Sequence, residues 1–175
     1  FENYSICNEI PKDAEVLGLG MDWGFTNDPT TLLKAYRYNG ELYIDELIYQ
    51  TGLTNSDIIS KLNQLGINRR DTIVADSAEP KSIAELNHYG HNVLPVSKGK
   101  DSIVYGINLI NQNKIYVTSR SKNLINELRN YIWLTDKTGV KMNKPIDAYN
   151  HAIDAMRYAI TSQLENPNKG NYFIY

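Results

Sequence analysis

Residues 15–50 read EVLGLGMDWGFTNDPTTLLKAYRYNGELYIDELIYQ. The apolar run from Val16 to Met21 stops at Asp22 and Gly24, the pattern of a buried strand that ends in a turn. After Pro29, two runs rich in β-branched and aromatic residues flank Asn39-Gly40. That dipeptide supplies the two positive-φ positions of a tight hairpin turn, so a strand followed by a β-hairpin is expected. Strand alternation puts Gly18, Gly20 and Asp22 on one face of the first strand and Leu17, Leu19 and Met21 on the other. Two glycines on one face weaken a strand and suit a place where another backbone comes close.

Downstream of the hairpin the pattern changes to helices alternating with short strands. TNSDIISKLNQLG, residues 54–66, predicts a helix with Thr54 and Asp57 as a capping pair and Gly66 as its stop. DTIVADS, residues 71–77, is a short buried strand ending at Asp76, and residues 79–90 form a helix with Pro80 near its start and Gly90 at its end. A strand over 91–97, a helix over 100–112 and a strand over 114–119 follow. Residues 121–133 read as an amphipathic helix on Leu124, Leu128 and Ile132. LTDKTGVKMNKP, residues 134–145, suggests a small basic hairpin around Thr138-Gly139, and the last helix is expected from about Asp147 to Leu164. Residues 1–15 show no clean period and read as a connector; residues 166–175 read as a tail. The expectation is one α/β domain over residues 16–165, with a mixed central β-sheet flanked by α-helices.

The 175-residue chain is long enough for a substantial core. It holds no apolar run long enough to span a membrane and no signal peptide. Its single cysteine, Cys7, cannot form an internal disulfide, which suits a reducing compartment. The net charge of −2 conceals an asymmetry: residues 98–144 carry nine Lys/Arg against three Asp/Glu, whereas residues 1–97 carry seven against fourteen. A basic segment between acidic ones can attract a polyanion locally.

On a helix through DAYNHAIDAMRYA, residues 147–159, Asp147, His151, Asp154 and Tyr158 would share an arc of about 60°. Ala148, Ala152, Ala155 and Ala159 form a stripe beside them, and such a stripe lets the helix approach the glycine face of the first strand. Asp22 and Asp154 would then meet. Asp76, at the carboxyl end of its strand, stands where α/β proteins place functional side chains. Three carboxylates brought together repel one another unless cations hold them. Oxygen-only ligation suits Mg²⁺ or Mn²⁺, and a pair of such ions suits in-line phosphodiester hydrolysis. Three unrelated turn or cap aspartates would give the same spacing, so the residues alone leave both readings open.

GMDWGFTNDPTTLL (20–33), VADSAEPKSI (74–83) and NHAIDAMRYA (150–159), in this order and with these gaps, resemble the nuclease domain of tailed-bacteriophage terminase large subunits. The likeness covers roughly Gly18 to Ser162. It implies a ribonuclease H-like fold and an endonuclease that cuts double-stranded concatemeric DNA during genome packaging in the host bacterial cytoplasm. Such a domain uses Mg²⁺ or Mn²⁺, with two ions expected per site and little sequence preference, and leaves a 5′-phosphate and a 3′-hydroxyl. By motif, the metal-binding acids map onto Asp22, Asp76 and Asp154. His151 maps onto a histidine one turn earlier, as a ligand, a proton shuttle or an orienting partner. Asp147 is a weaker candidate, mainly as a cap.

The resemblance also implies an N-terminal ATPase domain, a terminase small subunit and a portal as partners. No G-x-x-x-x-G-K-[ST] loop is present, so the chain reads as the excised C-terminal part of such a protein. Lys98, Lys100, Lys141 and Lys144 are candidate DNA-backbone contacts, and with Lys137 the basic hairpin is placed to gate a cleft. Asp28 and Glu79 read as turn or cap residues, Glu46 and the His88/His91 pair as surface residues, Trp23 and Phe25 as packing beneath the site, and Arg157 and Tyr158 as braces of the helix. The alternatives are a related ribonuclease or junction resolvase, an actin-like or sugar-kinase ATPase suggested by DWGFT, and a non-catalytic module that docks DNA or the portal.

Overall fold

The computed structural model describes residues 3–99, 101–146 and 148–164. Chain order is β1 (Tyr4–Cys7), β2 (Glu15–Asp22), β3 (Thr30–Tyr38), β4 (Glu41–Gln50), α1 (Asn55–Gln64), β5 (Thr72–Ala75), α2 (Pro80–His88), β6 (Asn92–Pro95), α3 (Ser102–Asn111), β7 (Ile115–Thr118), α4 (Lys122–Asn130), β8 (Trp133–Thr135), β9 (Lys141–Pro145) and α5 (His151–Leu164). Seven strands make one sheet in the order β1-β7-β4-β3-β2-β5-β6. β3 is antiparallel to β2 and β4, and the outer pairings are parallel. This is the mixed sheet expected from one hairpin followed by crossover units.

The turn residues behave as their chemistry requires. Asn39 and Gly40 both take positive φ, 51° and 81°, which closes β3 onto β4. Thr54 and Asp57 form a reciprocal capping box at the start of α1, and Gly66 takes φ 70° just past its end. Each face of the sheet buries its own cluster. One gathers Leu33, Ile44, Ile107, Leu124, Leu128, Ile153, Met156 and Ile160, under α3, α4 and α5. The other gathers Leu19, Met21, Leu32, Ile58, Leu62, Ile73 and Leu86, under α1 and α2.

α5 is the central helix. Ala152, Ile153 and every residue from Ala155 to Thr161 are buried, the signature of a helix enclosed on all sides rather than laid on a surface. It crosses β2 at the glycine face. A Cβ built on Gly20 would strike the Ala155 carbonyl and stand 2.7 Å from the Ala159 nitrogen. The close approach of glycines and an alanine stripe is therefore real, and it brings the end of β2 beside the start of α5.

Several local expectations are corrected. The last helix begins at His151, because Tyr149 takes φ 54° and the first helical turn closes from Asp154 N–H onto the Asn150 carbonyl, 2.7 Å. Tyr149 is exposed, and Asp147 lies outside the described residues. Residues 4–7 form strand β1, paired among the described residues with β7 alone and too short to show a period. A bulge between Val16 and Gly18 moves Leu17 toward the α5 side, where it packs on the first cluster. α4 ends at Asn130, since Tyr131 is extended, and Ile132 is left exposed. The basic hairpin forms as β8 paired with β9, with Gly139 at φ 83° in its turn.

Candidate metal centre

Asp22 is the last residue of β2, Asp76 follows the end of β5, and Asp154 lies in the first turn of α5. Adjacent parallel pairing of β2 with β5 puts the first two at neighbouring strand ends, and the β2–α5 contact brings the third across from them. Asp76 N–H donates to the Met21 carbonyl at 3.1 Å, so the two strand ends are tied together at the site.

Each carboxylate has its own partner. Asp22 is buried, 8% exposed, and its Oδ2 lies 3.1 Å from His151 Nδ1. The other ring nitrogen, Nε2, faces Asp28 Oδ1 at 3.4 Å. Asp76 Oδ1 accepts from Lys98 Nζ at 2.6 Å and from Ala78 N–H at 2.8 Å. The Tyr158 hydroxyl reaches Asp76 Oδ2 at 3.5 Å. Asp154 Oδ1 accepts from Arg157 at 2.9 Å. Trp23 donates its indole N–H to the Asp76 carbonyl at 2.9 Å and packs on the α1–α2 cluster, whereas Phe25 is exposed.

The charges of these groups are coupled. Burial pushes the Asp22 carboxyl above the usual carboxylate range; the His151 bond pulls it back, and the charges of Asp154 and Asp76 push it up again. Burial acts in the same upward sense on Asp76, but Lys98, the Ala78 N–H and the Tyr158 hydroxyl bring it below its ordinary value. The hydrogen bond to Asp22 holds His151 above the usual imidazole value against burial, helped by the charges of Asp22, Asp28 and Glu127. Asp22 therefore lies within the electrostatic reach of both other acids. Among the described residues, no three His, Cys, Asp or Glu side chains converge as they stand in a geometry that would clasp a metal ion. The donor set nevertheless fits a hard divalent cation: it is all carboxylate oxygen, and an Asp22 pushed up by burial and, to a lesser degree, by two like charges is the kind of group a cation relieves.

Glu127 was missed by sequence reasoning. It is 1% exposed on α4, accepts from Ile153 N–H at 3.0 Å and from the Tyr49 hydroxyl at 3.0 Å, and so caps the N-terminus of the helix that carries His151 and Asp154. Its signal was an acid three residues after Leu124 and next to Leu128, on the apolar side of α4. Thr31 supports the same helix start, donating to the His151 carbonyl at 3.1 Å. Glu46 is not a free surface residue: it accepts from Leu124 N–H and Asn123, both at 2.7 Å, and caps α4. His91 is likewise buried, 3% exposed, not on the surface.

Of the candidate DNA contacts, Lys98 lies on Asp76 and Lys144 is exposed on β9. The Lys141 side chain and Lys100 lie outside the described residues. Glu79 sits at the N-cap of α2 without a side-chain cap bond.

Residues 22–162 match the family model described as "Terminase RNAseH like domain". The chain belongs to that terminase RNase H-like family. It is 32% identical over 178 residues to the terminase large subunit of Bacillus phage SPP1, covering 94% of this chain and 42% of that protein. It is 29% identical over 147 residues to the PBSX phage terminase large subunit of Bacillus subtilis (strain 168), covering 81% of this chain and 33% of the relative. This terminase chain thus spans less than half the length of either relative. Its structure is similar to the large terminase nuclease domain of bacteriophage SPP1 with bound Mn, at TM-score 0.78 and 27% identity over 91% of this chain and 96% of that one. The fold is the ribonuclease H-like fold of terminase nucleases.

Proposed function

We propose that this domain is a divalent-metal-dependent endonuclease that cuts double-stranded concatemeric DNA during viral genome packaging. The observation that carries the reading is Asp22: a buried carboxylate, bonded to His151 and facing the charge of Asp76 and Asp154, in a chain whose SPP1 relative was solved with manganese. Asp22, Asp76 and Asp154 would hold two Mg²⁺ or Mn²⁺ ions. Bound there, such ions supply activation of a water and stabilisation of the leaving oxygen in phosphodiester hydrolysis.

The remaining work falls to the chain's own side chains. His151 presents Nδ1 to Asp22 and Nε2 to Asp28; with its raised affinity for a proton it orients Asp22 and can carry a proton at the edge of the site. Arg157 fixes Asp154, and Tyr158 steadies Asp76. Lys98, Lys100, Lys141 and Lys144 would meet backbone phosphates, which positions duplex without reading its sequence. The β8–β9 hairpin would gate entry of DNA, and deletion of residues 138–143 is expected to change affinity or cutting. In a full-length protein the domain would work with an ATPase domain, a small subunit and a portal, in the host cytoplasm. Among the described residues no helix is long and apolar enough to cross a membrane.

The test is relaxation and linearisation of supercoiled plasmid in Mn²⁺, Mg²⁺ or EDTA by the wild-type chain and by Asp22→Asn, Asp76→Asn and Asp154→Asn. Metal-dependent cutting lost in each variant is the expected result. Cutting that survives all three would place the active site elsewhere, and metal-independent binding without cutting would favour a docking module.

A further inference from the structure

The three acids differ in how firmly their partners are built in. Asp154 is held by Arg157, whose side chain is 5% exposed. The Arg157 stem lies so close to α3 that a Cβ on Gly106 would come within 2.6 Å of its Cγ, and its guanidinium stacks on the Tyr158 ring at 4.8 Å. Asp22 faces His151, whose backbone is anchored through Thr31 and the Glu127 cap. Arg157 cannot leave without disturbing the core, and His151 is held in place at the helix start by its backbone. Asp76 is different. Its charged partner Lys98 is 42% exposed, lies beyond the end of β6 and just before Gly99, and makes no other ion pair among the described residues. It also begins the basic segment of residues 98–144.

A lysine ammonium is a compact, strongly hydrated point charge on a flexible stem, well suited to exchange between carboxylate and phosphate. An ammonium 2.6 Å from Asp76 Oδ1 competes with a divalent ion for the negative charge of that carboxylate. We propose that Lys98 is a displaceable counter-ion: it neutralises Asp76 in the metal-free domain, leaves it when a divalent ion takes the carboxylate, and then contacts a backbone phosphate of the duplex. This rests on the metal-dependent nuclease reading above. It makes metal and DNA binding mutually supportive through one side chain, since a coupling between two ligands is reciprocal.

The inference predicts opposite effects of one substitution. Lys98→Met should bind Mn²⁺ about three- to five-fold more tightly by calorimetry without DNA, because no ammonium competes for Asp76. The same variant, saturated with Mn²⁺, should bind a cleavage-resistant phosphorothioate duplex more weakly, with a salt dependence of log K shallower by about 0.9. In EDTA its salt slope should equal that of the wild type, because Lys98 is then on Asp76 in the wild type. Lys98→Arg should keep the wild-type slope in Mn²⁺. A general loss of structure would weaken metal binding rather than strengthen it. Equal or weaker Mn²⁺ binding by a folded Lys98→Met, or an unchanged salt slope in Mn²⁺, would overturn the inference alone. Absence of Mn²⁺ binding by the wild-type chain would overturn the metal-centre reading and this inference with it.

Discussion

Gly20→Ala is expected to be one of the most damaging single-methyl additions in the domain, although alanine suits a strand better than glycine. The added Cβ meets backbone on its open side: the Ala155 carbonyl oxygen, with the Ala155 carbonyl carbon at 2.8 Å and the Ala159 nitrogen at 2.7 Å. No rotamer change relieves a clash between two backbones, so α5 must move off β2. Overpacking of a tight core costs about 1–3 kcal/mol when side chains can adjust; here the upper end, about 3 kcal/mol, applies. For a domain of this size that lowers Tm by about 6–12 °C. Gly18, two residues earlier on the same face, is the internal control. Its Cβ would meet Gln163 at 3.5 Å and the Ala159 carbonyl at 3.8 Å, ordinary contacts. Gly18→Ala should therefore fall within about 1 kcal/mol of the wild type, helped by the smaller entropy of its unfolded chain. Urea denaturation of both variants, with melting as a check, measures the contrast. Gly20→Ala should also cut DNA poorly, because moving α5 moves Asp154 away from Asp22. Equal stabilities of the two variants, or a Gly20→Ala cost below about 1 kcal/mol, would refute the close-contact reasoning.

Three further outcomes are expected. Glu127→Ala leaves the Ile153 N–H and the Tyr49 hydroxyl without their buried acceptor and should cost about 2–4 kcal/mol, whereas Glu127→Gln, which keeps an acceptor, should cost about 1 kcal/mol; denaturant titration decides, and equal costs would remove the capping role. His91 is buried with neither ring nitrogen bonded among the described residues, and burial holds it below its ordinary 6.5; the unfolded chain then takes up a proton that the folded one refuses, so its contribution is intact above pH 6.5 and is lost as pH falls below that value, and His91→Leu should show a smaller loss of stability between pH 7 and 5 than the wild type. Asp22 is pushed up chiefly by burial, so its ionised form opposes folding at neutral pH; Asp22→Asn in EDTA should melt higher than the wild type at pH 7, with the gap narrowing as acid neutralises the wild-type carboxyl, while metal-dependent cutting is lost.

What sequence alone conveyed was local or periodic. Asn39-Gly40 and the Thr54/Asp57 pair carry their structure within a few residues, and both form as expected. The contact between β2 and α5 was legible because glycines at period two and alanines at helical spacing are complementary small faces. The positions of Asp22 and Asp76 at strand ends were also legible, as was the placing of Asp154 on the last helix, though not in its first turn. The start of α5 was not. Asp147 and Ala148 continue the helical pattern on paper, but the helix starts where Glu127, remote in sequence, supplies an acceptor to Ile153 N–H and where Tyr149 turns to positive φ. The partners of the acids were hidden for the same reason: Lys98 and Asp76 are brought together by pairing of β5 with β6 and by the chain's path beyond it, which no spacing encodes. His91 follows a helix-ending glycine, an exposed place by pattern, and is buried because it leads directly into β6.

The measurement that bears most directly on the central claim is a crystal structure of this chain soaked in Mn²⁺, with anomalous scattering to locate the ions. The account predicts manganese bound by Asp22, Asp76 and Asp154 together, with Lys98 withdrawn from Asp76. Manganese bound elsewhere, or a fully soaked crystal in which Lys98 still holds Asp76 and Asp154 takes no ion, would contradict it.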